Sequence, residues 1–187
     1  MLVGSDSAAS RAGLHAPHRF SVAEFSSIST VDRVELIDGV VYDVPPRNDA
    51  HRIAVNALIK AFKKLDDGFV LQVQDPVRLA GWDGPHAPEI DIAVFRETGP
   101  GLLPAVGDAV AFIEVSDTTY RYDRDRKIPL YIAADVPAWI VNISNRWMES
   151  YRSPADLERP NGVVYGRGEV EIAGVSIELS RLFVPKT

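Results

Sequence analysis

From Arg19 onward the apolar positions switch between helical and strand spacing, and Gly, Pro and Asp punctuate each change. Ser21 can cap a short helix that carries Val22, Phe25 and Ile28 on one face. Residues 34–42 read as two short strands joined at Asp38-Gly39, residue types that tolerate the positive φ a tight hairpin needs, which places Glu35 on the first strand. Pro45-Pro46 ends that hairpin. Asn48 or Asp49 can then cap a helix whose Ile53, Ala54, Ala57, Leu58, Ala61 and Phe62 form an apolar stripe, ending near Leu65 ahead of Asp67-Gly68.

Four β-rich runs follow, at residues 69–73, 76–80, 89–95 and 110–115, and predict one sheet. Ile92-Ala93-Val94-Phe95 and Ala111-Phe112-Ile113 are nearly continuous in apolar character, as expected for central strands covered on both faces. A second helix is expected from a cap at or near Asp125 to about Ala134. Pro129 fits it only near the first turn, with a kink as the alternative. Residues 139–143 and 147–151 around Ser144-Asn145-Arg146 predict another hairpin, and residues 163–165, 169–172 and 175–179 add further strand.

The pattern predicts a single α/β (α+β) domain over residues 18–187, a mixed sheet flanked by helices with extra hairpins, preceded by a disordered tail at residues 1–17. That tail is Ser/Ala/Gly-rich without an apolar core, and no later run approaches the ~18 apolar residues of a membrane span. A soluble, cytoplasmic protein without membrane contact is therefore expected. The chain has no cysteine, which removes disulfides, thiolate zinc sites and a cysteine nucleophile. A formal charge of −6 argues against coating nucleic acid by phosphate neutralisation, so any such contact is local or metal-assisted.

Charged residues beside apolar strands single out Asp91 and Glu114, with Lys127 on the helix that follows. Two carboxylates converging from neighbouring strands make a hard oxygen site suited to Mg²⁺ or Mn²⁺, and a nearby lysine can stabilise charge on phosphate or act on the attacking water. An aspartate at a strand edge also caps turns and forms ordinary ion pairs, so spacing alone leaves both readings open.

At these residues the sequence resembles the Uma2 group (DUF820) of restriction-endonuclease-like proteins in the PD-(D/E)XK nuclease superfamily, over roughly residues 20 to 182. The matching stretches are Glu35-Leu36-Ile37-Asp38-Gly39, His51, Glu89-Ile90-Asp91-Ile92-Ala93-Val94, Glu114-Val115-Ser116, the run from Asp123 through Lys127 to Tyr131, and Val136-Pro137-Ala138-Trp139-Ile140-Val141. The resemblance implies a restriction-endonuclease-like core in which Asp91 and Glu114 hold metal, Glu35 adds a third carboxylate, His51 completes the pocket and water attacks a DNA phosphodiester. Ile90 stands where the superfamily pattern has proline, and Ser116 where it has lysine; Lys127 matches a lysine moved to the next helix.

Asp123, Arg124, Asp125 and Arg126 can offer arginines to phosphate, although alternating signs at a helix start usually mark a self-paired surface. His15, His18 and His86 fit no zinc spacing; Trp139 reads as core and Trp82 as an exposed turn residue. No nucleophile elbow, Walker loop or dinucleotide glycine motif is present. The expected function is a Mg²⁺- or Mn²⁺-dependent endodeoxyribonuclease, acting as a homodimer so that two sites meet a duplex. The alternatives are a nuclease-fold module that binds nucleic acid or a protein without cutting and, more weakly, an oligomerisation module.

Overall fold

The computed structural model describes residues 17–28, 33–65, 68–99, 104–159 and 162–183. The expected tail up to residue 16, with His15, and Asp67 of the expected turn lie outside them. A six-stranded mixed sheet has the order β3-β4-β5-β6-β7-β8. These strands are β3 (Phe69–Pro76), β4 (Glu89–Arg96), β5 (Ala109–Ser116), β6 (Ala138–Asn142), β7 (Trp147–Tyr151) and β8 (Val163–Tyr165). β5 and β6 pair in parallel while the other neighbours are antiparallel. A parallel pair needs a crossover, and the helical run at residues 120–133, here α3, supplies it.

Two hairpins stand apart from the sheet: β1 (Val34–Ile37) with β2 (Val40–Asp43), and β9 (Glu169–Ile172) with β10 (Val175–Glu178). The first turns at Asp38 (φ 53°) and Gly39 (φ 71°), the paired left-handed residues that the sequence predicts. A Cβ at Gly39 would also lie 2.9 Å from that of Arg19, so the position requires glycine twice over. α1 (Val22–Ser27) begins with a capping box between Ser21 and Glu24. Ile28 falls outside that helix and is exposed.

α2 (Asp49–Phe62) is capped by Asn48, whose side-chain oxygen accepts the His51 amide at 2.9 Å. Its buried stripe is Ala54, Val55, Leu58 and Phe62; the expected Ile53 is exposed because the face turned to the sheet lies one step further along. α2, the β9–β10 hairpin and a turn at Leu179–Leu182 cover one face of the sheet, over Ile113, Val141 and Met148. Ile128 and Tyr131 of α3 cover the other, over Phe95, Phe112 and Ile140. With each large apolar side chain contributing about 1.5–3 kcal/mol on burial, both faces of β4 and β5 are apolar along most of their length. α4 (Pro154–Leu157) is a short turn after β7.

Two expectations are corrected. Residues 76–80 are not a separate strand: β3 ends at Pro76, and Val77 and Leu79 only donate to the carbonyls of Pro88 and His86 around a loop. α3 begins at Tyr120, with Thr119 at its cap, and not near Asp125. Pro129 therefore lies well inside the helical run. It has no N–H to give and its ring crowds the preceding turn, and the chain accommodates it by widening Asp123–Lys127 into a π-helical turn before Ile128–Ala133 resumes α geometry.

Candidate active site

The β4–β5 ladder runs as far as Ile92 and Ile113, and the next residues outward are Asp91 and Glu114. There the strands fork and open a cleft of about 450 Å³ whose walls come from the β1–β2 hairpin, the start of α2 and the first turns of α3. The five residues singled out by the sequence, Asp91, Glu114, Lys127, Glu35 and His51, all line it.

The Asn48 cap fixes where α2 begins and so sets His51 in its first turn, with Nε2 3.0 Å from Asp91 Oδ2. The same carboxylate oxygen accepts the Val115 amide at 2.9 Å, and Gln74 Nε2 approaches Oδ1 at 3.4 Å. Burial raises the Asp91 carboxyl, but the His51 contact, the Val115 amide and Lys127 outweigh it, and the net shift is downward. Asp91 is thereby kept ionised. Gln74 has φ 57°, a left-handed conformation that costs a non-glycine residue about 1–2 kcal/mol. The backbone strain lies beside the buried aspartate.

Glu114 has the opposite balance. Burial pushes its carboxyl well above the ordinary range, and Asp123 and Asp91 add to this, against the pull of Lys127 and Tyr131. Its Oε1 lies 2.9 Å from Lys127 Nζ and accepts the Tyr131 hydroxyl at 2.5 Å. Lys127 is buried beneath this carboxylate, 3.4 Å from Glu35 and 3.9 Å from Asp123, and donates to the Glu89 carbonyl at 2.6 Å. Desolvation pushes Lys127 down, yet Glu114, Asp123 and Glu35 together raise it, so it carries a proton at neutral pH. Ser116, at the superfamily's lysine position, is buried and donates to Asp123 at 2.7 Å. The serine thus orients an acid beside the lysine that arrives from α3.

Glu35 reaches the cluster through Lys127 and the Glu89 amide, which it accepts at 3.1 Å. Among the described residues no three His, Asp or Glu side chains converge into a ready metal cage, so Asp91, Glu114 and Glu35 do not form one. The donor chemistry nevertheless fits a hard cation held by two carboxylates and water, the mode Mg²⁺ favours. Seven carboxylates against the three fixed cations Arg33, Arg47 and Lys127 line the cleft, an excess of negative charge that a divalent cation would offset.

Sequence reasoning undervalued several residues. Asp123, grouped with its charged neighbours as surface, turns inward onto Ser116 and Thr119. Arg124 follows the self-paired pattern with Asp125, whereas Arg126 pairs with Asp38 of the β1–β2 turn. Arg33 and Arg47 were unmarked, yet both bind the buried Glu89 carboxylate. A signal was available for the arginines, which flank the β1–β2 hairpin, closed at its base by the Val44 amide donating to the Arg33 carbonyl. His18 pairs with exposed Glu24, His86 accepts the Asp38 amide, Trp139 is core and Trp82 is exposed, none of them near this cluster's bonds.

The family model Uma2, described as "putative restriction endonuclease", matches residues 22–180. Among solved structures, a protein of Anabaena variabilis described as "a putative nuclease belonging to DUF820" superposes with a TM-score of 0.63 at 14% sequence identity, covering 87% of this chain and 97% of that one. At that identity the likeness shows the fold. A search of curated proteins finds no match. Among the described residues no helix is long and apolar enough to cross a membrane.

Proposed function

This chain belongs to the Uma2 family, and from that premise we propose that it is a divalent-metal-dependent endonuclease that hydrolyses DNA phosphodiester bonds in the cleft between β4 and β5. The observation that carries the reading is the buried Lys127 set on Glu114 beside an ionised Asp91, where a simple structural ion pair would not need a cleft.

Asp91 and Glu114 are the candidate ligands for Mg²⁺ or Mn²⁺, with Glu35 adding charge to the same cluster through Lys127. When bound, such an ion polarises the phosphate and lowers the pKa of water. Lys127, protonated at neutral pH, gives a fixed positive charge where negative charge grows on the phosphate, a role that suits it better than general base. Tyr131 and Asp123 hold Glu114 and Lys127 in place. His51 holds Asp91 through one oxygen, leaving Oδ1 with the longer Gln74 contact and free to ligate. A homodimer would bring two clefts to the two strands of a duplex.

Plasmid nicking with Mg²⁺, Mn²⁺ or EDTA, run beside Asp91→Ala, tests the proposal. Metal-dependent cutting that the aspartate variant loses is the expected result. Cutting that persists in a folded Asp91→Ala protein rules the assignment out. A wild-type protein that binds DNA and never cuts it would favour the binding-only alternative, for which Ser116 in place of the superfamily's lysine is the supporting observation.

A further inference from the structure

Glu89 precedes Asp91 by two residues on β4 and is buried at the wall of the same cleft. Its carboxylate receives two guanidinium groups. Arg33 Nε donates to Oε2 at 3.2 Å and its Nη2 to Oε1, while Arg47 Nη2 donates to that same Oε1 at 2.6 Å. Arg33 is further fixed by a 3.3 Å bond from Nη1 to the Pro45 carbonyl. One arginine neutralises one carboxylate, so the second charge has no counterpart within the triad. Moreover Arg47 Nε is buried and has no hydrogen-bond partner among the described residues, so the protein does not take up all of this guanidinium's donors.

We propose that Arg33 and Arg47 form a phosphate clamp that binds a backbone phosphate next to the one attacked at Asp91 and Glu114, with Glu89 holding the two guanidiniums in place for it. This rests on the nuclease reading of the cleft. A net charge of +1 on the triad matches one phosphodiester, and guanidinium forks suit phosphate oxygens in paired hydrogen bonds. Two residues along an extended strand span about 6–7 Å, the order of the distance between successive phosphates, so the clamp and the carboxylate pair can engage neighbouring links of one strand. Glu89 also accepts Lys127 through its carbonyl and donates its amide to Glu35, so clamp and cluster share one backbone residue. The clamp supplies a local cationic contact on a chain whose net charge is −6.

The test is binding of a fluorescein-labelled 16-base-pair duplex, and of its isolated strand, by fluorescence anisotropy at several salt concentrations in Ca²⁺. Arg33→Ala and Arg47→Ala should each weaken binding about tenfold and lower the salt slope by about 0.9 on the duplex or 0.7 on the single strand, because either change removes the triad's one surplus charge and with it the single clamped phosphate. Arg33→Gln and Arg47→Gln retain an N–H for Glu89 and remove the charge, so they give the same answer if an alanine variant does not fold. Wild-type affinity and slope in the folded variants would overturn the clamp and leave the nuclease reading intact. Failure of the wild type to bind either probe would also overturn it. Arginine-dependent binding without metal-dependent cutting would uphold the clamp and sink the nuclease reading.

Discussion

Glu114 and Glu149 lie in one row across the sheet, separated by Ile140, which pairs with both. Both are buried carboxylates, and burial raises both above the ordinary range. Their surroundings differ. Glu149 is enclosed by neutral donors: Trp147 Nε1 at 2.6 Å, the Tyr151 hydroxyl at 2.8 Å and the Tyr120 hydroxyl at 3.2 Å. Glu114 has one hydroxyl, a buried lysine and an opening to the cleft. Burying a carboxylate costs several kcal/mol, and three neutral hydrogen bonds offset that without creating reactivity, whereas a cation shared among several acids beside a cavity leaves charge for a ligand to complete. Burial alone does not mark function; the source of the compensating charge does.

The largest effect expected from this contrast comes from Lys127. Lys127→Met should destabilise the fold by about 3–5 kcal/mol, since Glu114, Glu35 and Asp123 lose their common cation, as read by chemical denaturation. Unchanged stability would mean the cluster is not a charge network. Glu149→Gln should cost about 1–3 kcal/mol, because an amide can satisfy only part of the three-donor cage.

The same pair differs in pH response. A folded-state pKa raised above the unfolded 4.5 makes Glu149 favour folding below that value and lose this contribution as pH rises through the folded value. Relative to Glu149→Gln, wild type should therefore weaken as pH climbs above 4.5; a constant difference between the two denaturation series contradicts the raised value. Glu114 is also raised, so protons compete with a cation for it. Mn²⁺ affinity should grow as pH rises above the usual carboxylate range, and calorimetry in two buffers of different ionisation enthalpy should detect proton release. The smallest effect is expected at the helix cap: Asn48→Ala should cost about 1 kcal/mol by chemical denaturation, with a chemical-shift change at the His51 amide that loses its acceptor.

Local rules carried much of this structure in the sequence. Asp38-Gly39 announced its turn because few residues accept two positive φ angles in succession, and Asn48 announced α2 because a free amide there needs a side-chain acceptor. Asp91 and Glu114 were legible as charges beside apolar runs, and Lys127 as the lysine on the helix that follows. The π turn was not, since it arises from a compromise between Pro129 and the packing of Lys127 and Tyr131, which no local propensity encodes. Nor was the direction of Asp123, which shares its composition with solvent-facing neighbours and differs only in meeting Ser116 and Thr119. Glu149 gave no signal because its partners Trp147 and Tyr151 look like ordinary strand aromatics until the sheet places them around it.

The most direct test of the contrast is to compare metal-dependent DNA cleavage by Glu114→Gln and Glu149→Gln, each shown to be folded. Loss of cleavage by about a hundredfold or more in Glu114→Gln, with Glu149→Gln close to wild type, is the predicted result. Equal losses in the two variants, or full activity in Glu114→Gln, would contradict the assignment of the β4–β5 fork as the catalytic centre.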